Sequence, residues 1–319
     1  MQFDQKKSKS EKGIFKCQSA PGNVLFDNSA ILKYLPEKQI LIVSLRKNQL
    51  IGLFSLKQNR IIKIITNEMK TVRELRVWDV FGTPVITACG HSLYLKQLSG
   101  LTTFKHKTKS QLNTCVFLTT EGRFFLGGLF PEVLSLEVAI SKVSVEFIPK
   151  NIRQIDTMEL FEPKSLIVIL EKPSKVVVYD YHKRTLMFDL TEKRDYFAIQ
   201  NIFIPKLSQW PVLFQVYEEG DIRVMTIKSN KEYQEKNFNF GKVVGSQKAP
   251  SVNQMNSCVG ALFGLRFHYY DQGNFIKKHD LKVPIPKEKL NFSSWSPIGH
   301  GTIAVVNQAT KKIYVFKFA

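Results

Sequence analysis

The sequence has few acidic residues. Its 27 Asp and Glu stand against 46 Lys and Arg, leaving a formal net charge of +19. Such a balance favours phosphate-rich or acidic partners over basic ones. Arginine is also scarce, with 10 Arg among the basic residues. Lysine contributes point charges rather than the planar two-pronged contacts of a guanidinium. The same bias, with abundant Asn, Ile and Phe, is what AT-rich codons produce, so a solvated basic surface stands beside a nucleic-acid role. The four cysteines, Cys17, Cys89, Cys115 and Cys258, are scattered, each in or beside an apolar run. They are read as buried thiols of a reducing compartment, without a disulfide framework or a zinc site. No apolar run reaches the length of a membrane-spanning helix. The opening segment, MQFDQKKSKSEKG, has no apolar core of a secretory signal. The expectation is an intracellular protein of cytoplasm or nucleus.

Chemical motifs are equally sparse. There is no phosphate-cradling G-x-x-x-x-G-K-[ST], no G-x-G-x-x-G and no G-x-S-x-G. GGLF (127–130) and GKVVG (241–245) lack the spacing and read as turns. None of the six histidines stands at metal-ligand spacing from another His, Cys or Asp. Acid–base or metal chemistry needs several converging carboxylates. Here the acids gather in turns, such as Glu218-Glu219 and Glu192, more than at strand starts facing the channel. The chain is expected not to be an enzyme and to need no cofactor.

What is present is β-structure. Helical periodicity is nearly absent, whereas runs of β-branched and aromatic residues recur between Gly, Asn, Pro and Lys turns. Examples are QILIVSL (39–45), PVITACG (84–90), SLIVIL (165–170) and KIYVFKF (312–318). A strand of alternating aliphatic and aromatic residues returns at Leu50, Leu93, Val133, Lys175, Asp221, Arg266 and Lys312, with steps of 43, 40, 42, 46, 45 and 46 residues. For the third unit, Arg123 serves equally as the anchor. One interval kept six times means one four-stranded unit repeated around a ring. The fold class is therefore all-β: a single closed β-propeller of about seven four-stranded blades. The blades are read as 30–66, 71–107, 112–149, 152–191, 196–240, 249–282 and from 290 onward. The last has three strands before the chain reaches Ala319. An N-terminal strand, GIFKCQ (13–18) or NVLF (23–26), is expected to complete it. Residues 1–12 are read as a flexible basic arm and 13–319 as the propeller domain.

Two segments resemble the WD40 repeat. LRVWDV (75–80) holds the Trp78-Asp79 dipeptide, in what reads as a first strand. KVVVYDYHKRTL (175–186) is similar to the end of a repeat, with Tyr179-Asp180 in place of Trp-Asp. Gly90-His91 and Gly299-His300 fall at the wrong place in the blade for the family's opening pair. The paired-Arg loop of phosphoinositide-binding propellers is absent. The resemblance implies a rigid, non-catalytic scaffold that docks other protein subunits on its faces, a monomer inside a hetero-complex rather than a homo-oligomer. The alternative is a nucleic-acid-associated subunit, as in a ribonucleoprotein or ribosome assembly, contacting the phosphate backbone of RNA or DNA.

The candidate interaction residues are basic clusters. They are Lys6, Lys7 and Lys9 in the N-terminal arm; Lys105, Lys107 and Lys109 between blades two and three; Lys183 and Arg184 after a fourth-blade strand; and Lys277, Lys278, Lys287 and Lys289 between blades six and seven. Sharing one face would make them a positive patch. Phe and Tyr residues alternate with polar ones and read as core. The exception is Tyr269-Tyr270, adjacent aromatics that cannot share a face of a strand, so one is expected at the surface.

Overall fold

A computed structural model describes residues 26–45, 49–69, 71–191, 199–205, 211–217, 220–229, 232–240, 251–255, 258–264, 266–271, 274–281, 292–299, 301–307, 309–310 and 312–317. Short β-branched segments joined by tight turns pair with their sequence neighbours, giving seven antiparallel sheets. Blade 1 holds β1 (Phe26–Leu35), β2 (Ile40–Leu45), β3 (Leu50–Ser55) and β4 (Arg60–Thr66). Blade 2 holds β5 (Val72–Val80), β6 (Thr83–Gly90), β7 (Ser92–Gln97) and β8 (Thr102–Lys107). Blade 3 holds β9 (Leu112–Leu118), β10 (Arg123–Gly128), β11 (Phe130–Glu137) and β12 (Lys142–Phe147). Blade 4 holds β13 (Thr157–Phe161), β14 (Leu166–Glu171), β15 (Lys175–Asp180) and β16 (Thr185–Asp189). Blade 5 holds β17 (Ile199–Phe203), β18 (Val212–Tyr217), β19 (Asp221–Ser229) and β20 (Glu232–Asn239). Blade 6 holds β21 (Ser251–Gln254), β22 (Val259–Phe263), β23 (Arg266–Asp271) and β24 (Asn274–Asp280). Blade 7 holds β25 (Phe292–Gly299), β26 (Thr302–Asn307) and β27 (Lys312–Lys317).

The predicted period is the blade period. All seven anchors fall in the third strand of their blades, and the third blade resolves on Val133, in β11, because Arg123 opens the second strand, β10.

Seven hydrophobic clusters hold the ring, one at each junction between neighbouring blades. Ile42, Ile51 and Leu75 belong to the cluster between blades 1 and 2, and Leu93, Cys115 and Phe124 to that between 2 and 3. Phe125 and Ile167 join blades 3 and 4; Val178 and Leu213 join 4 and 5; Phe214 and Ala261 join 5 and 6. Phe267 and Trp295 join 6 and 7. The seventh cluster closes the circle: Leu41, Val43 and Phe54 of blade 1 pack on Ala304, Val306 and Ile313 of blade 7. There the Ile31 backbone N–H also donates to Ser294 Oγ at 3.0 Å.

Each blade is therefore covered on both faces, and its middle strands are rich in buried apolar residues, as in a sheet buried on both sides. Every residue of β14 and of β22 is buried. This corrects the expectation for Tyr269-Tyr270. Both are half-buried, Tyr269 toward blade 7 and Tyr270 toward blade 5, because the two faces of β23 each meet a neighbour. The first strands of adjacent blades lie side by side around the axis, whereas the fourth strands β8 and β20 are the exposed rim.

The expected completion of blade 7 falls outside the described residues, as does the basic arm at 1–12. Phe26, the last residue of the NVLF candidate, opens β1 and pairs with Leu45 in blade 1. Among the described residues, no helix is long and apolar enough to cross a membrane.

Candidate functional site

Antiparallel order sorts the loops onto two flat faces. Connections between blades and the turns between second and third strands open on one, here the connection face. Turns between first and second, and third and fourth, strands open on the other, the hairpin face. The basic clusters divide between them. Lys107 and Lys109 are exposed at the connection face, where β8 leaves for blade 3. Lys105 lies earlier on the rim strand, its ammonium 5.1 Å from the Tyr94 ring. A hydrogen bond to the Tyr94 hydroxyl pushes its pKa up and keeps it charged. Lys183 and Arg184 lie on the hairpin face, in the turn from β15 to β16. One flat face therefore does not carry both clusters. Lys277 and Lys278 stand in the rim strand β24, paired with Tyr269 and His268 of β23. Lys6, Lys7, Lys9, Lys287 and Lys289 lie outside the described residues.

The hairpin-face cluster meets acids, one close in sequence and others from the preceding blade. Lys183 Nζ is 3.5 Å from Asp180 Oδ2. Arg184 Nη2 is 3.4 Å from Glu146 Oε1 of blade 3. Glu146 also pairs with Arg123, whose Nε lies 2.7 Å from Glu121 Oε2. Glu121 in turn faces His182 Nε2 at 3.8 Å. The Thr120 N–H donates to Glu162 Oε2 at 3.0 Å, tying the blade 3 turn to the 3-10 turn Glu162–Lys164 of blade 4. These bonds fix the turns of two blades relative to each other.

Beside this network stands Phe81, which is 80% exposed. It forms with Gly82 the two-residue turn between β5 and β6, where φ is 50° at Phe81 and 79° at Gly82. Two successive positive φ angles are the geometry of a type I′ hairpin, which favours Asn, Asp or Gly at both places. A phenylalanine held there costs about 1 kcal/mol or more. Its ring covers Gly122 of the blade 3 turn, where a Cβ would come within 2.8 Å of Phe81 Cζ. It meets Phe117 edge-on at 6.4 Å. Leu101 and Ile140, also exposed, lie in other turns of the same face.

Toward the axis lies a charged network that runs against the expected placing of acids in turns. Glu74, Arg76 and Trp78 alternate along β5 and so share one side of it. Arg76 Nη2 is 2.9 Å from Glu74 Oε1, and its Nη1 is 3.0 Å from Glu159 Oε1 on β13 of blade 4. The guanidinium also donates to the Met158 carbonyl at 3.3 Å. Glu74 accepts from the Cys115 N–H at 3.0 Å and from Thr114 Oγ1 at 3.3 Å, both on β9 of blade 3. Three inner strands are thus pinned by one Arg and two carboxylates, and the flanking acids push the Arg76 pKa up. Trp78 lies under this guanidinium, 5.6 Å from ring centroid to Cζ, and donates through Nε1 to Thr87 Oγ1 at 3.1 Å. Asp79 is exposed. The Trp-Asp dipeptide therefore supports the axial pin through its tryptophan alone. The sequence signal for the pin was the Glu-x-Arg-x-Trp alternation on an inner strand; its partner Glu159 carries none.

The Cys89 and Cys115 thiols meet in the core between blades 2 and 3, and hydrogen bonding to Cys115 together with burial raises the Cys89 pKa well above the usual thiol range. They pack as small apolar side chains. Among the described residues, no three His, Cys, Asp or Glu stand together as metal ligands.

No family model matches the chain, and no curated protein sequence matches it. Solved structures do. The β-propeller domain of Cps50 (Swd1) from Myceliophteria thermophila superposes with a TM-score of 0.68 over 98% of this chain and 100% of that domain, at 9% identity. The computationally designed protein Ika8 superposes with a TM-score of 0.59 over 92% of this chain and 98% of its own, at 11% identity. At such identities the likeness concerns the fold, and the fold is a seven-bladed β-propeller.

Proposed function

We propose that the chain is a non-catalytic docking platform, a protein-interaction subunit of a larger intracellular assembly, working as one copy among different partners. One observation carries this reading. Seven packed junctions close the ring, and charged contacts tie the turns of blades 3 and 4 together, so the platform is preorganised and loses little freedom on binding. The inner-strand carboxylates Glu74 and Glu159 are engaged by Arg76 in a way that suits pinning rather than proton transfer.

A second reading rests on a different observation. The connection face carries exposed Lys107, Lys109, Lys150, Arg153 and Lys172 on a chain of net charge +19. That is a footprint for RNA or DNA phosphates. Binding of this kind weakens steeply with salt.

Recovering the tagged chain from its own cells separates the two. The docking reading expects a fixed set of protein partners that survives nuclease and high salt. Partners that vanish with either treatment overturn it in favour of the basic connection face.

A further inference from the structure

We infer that the hairpin face of blades 2 to 4 is a docking surface for an acidic peptide segment bearing an aliphatic or aromatic anchor, with Phe81 as its apolar contact. This rests on the docking-platform reading and names the surface and the partner chemistry.

Folding alone does not account for Phe81. The residue occupies a left-handed turn position that asparagine or glycine fills without strain, and it leaves a large ring in water. A strained backbone holding an exposed aromatic is the arrangement of a binding contact. Its position is set by Gly122, which gives the ring a flat floor on the neighbouring blade.

Partner charge follows from the rim. Glu121 adjoins Gly122 and leads directly to His182, so the rim of the Phe81 platform passes into the turn at 182–184. Within that rim the acids are the less exposed members, with Glu146 at 12% and Glu121 at 32%. The bases stand further out: His182 at 57%, Lys183 at 71% and Arg184 at 60%. An incoming segment therefore meets an apolar ring whose rim carries the outward cations Lys183 and Arg184, on a chain of net charge +19. Acidic residues beside an apolar anchor complement that pattern.

The test uses the full chain and three labelled probes: a short peptide of interleaved acidic and aliphatic residues, the same peptide with its aliphatic residues replaced by serine, and a single-stranded oligonucleotide of equal charge. Fluorescence anisotropy is expected to show saturable binding of the first peptide and much weaker binding of the second. Phe81→Asn is expected to reduce that affinity about tenfold or more, while leaving the melting temperature unchanged or higher, because Asn-Gly suits the turn. Lys183→Ser with Arg184→Asn is expected to weaken the same peptide. The inference is overturned by an absence of saturable peptide binding, by equal binding of the serine peptide or the oligonucleotide, by peptide affinity indifferent to Phe81→Asn, or by a marked fall in melting temperature, which would make Phe81 a structural brace. Nuclease-resistant partners in cells alongside failure here would leave the platform reading standing and remove only this surface.

Discussion

Replacing Arg76 with methionine is expected to destabilise the protein by about 3 kcal/mol, the lower end of the range for breaking a buried ion pair. The reason is what the substitution leaves behind. Glu74 and Glu159 would face each other across β9 without their shared cation, and the Met158 carbonyl would lose a donor. The side chains involved are 18%, 18% and 23% exposed, so solvent relieves part of the penalty and the larger values of that range do not apply. Arg76→Lys should fall between, since an ammonium cannot reach all three acceptors in the plane of a guanidinium. Urea denaturation of the purified chain measures these losses. Arg60→Met, on the exposed β4, should change stability by no more than about 0.5 kcal/mol. Replacing Arg76 together with both carboxylates by apolar residues should recover much of the loss, because the cost lies in the stranded charges. A loss for Arg76→Met no larger than that for Arg60→Met would show that the pin is not holding the inner strands.

The second large effect is expected at Trp295. This residue is 1% exposed on β25 and carries the junction between blades 6 and 7. Its ring meets Phe267 edge-on at 4.7 Å and rests against Gly260, where a Cβ would come within 2.6 Å of Trp295 Cη2. Its Nε1 donates to the Ser251 carbonyl at 2.8 Å, and its own carbonyl accepts from Asn253 Nδ2 at 3.2 Å. Trp295→Ala opens a cavity and strands an acceptor, which together cost about 3–5 kcal/mol. Trp295→Phe keeps much of the packing and loses the hydrogen bond, for about 1–3 kcal/mol. Thermal melts of the two variants should rank in that order. Equal melts would mean that the volume of the indole is not filling the junction.

The period of the ring was legible because each blade is one self-contained hairpin unit, and its third strand returns at a nearly constant interval from Leu50 to Lys312. The environment of the blades was not. Reading Tyr269-Tyr270 as one buried and one exposed residue assumes a sheet with one wet face, and a propeller blade has neither face wet. Charge was misleading for a related reason. The run at 182–184 looks purely basic along the chain, but the fold brings Glu146 and Glu121 of the preceding blade against it. Arg76 was equally obscure, since its partner Glu159 enters from two blades further on. Phe81 was hidden by its type. In a chain with 24 Phe, the sequence offers no mark for one turned outward on a strained hairpin. Only the adjacent Gly82 hinted at the turn.

The account depends most on the ring being closed, since an open arc would not hold its faces rigid. Native-state hydrogen exchange tests this directly. The amides of β2 and β26, on the two sides of the closing cluster formed by Val43, Phe54, Ala304 and Val306, should exchange as slowly as those of β14 and β15 in the middle of the chain, all through one global opening. Fast, independent exchange of blades 1 and 7, with blades 3 and 4 still protected, would contradict the closed ring and with it the preorganised platform.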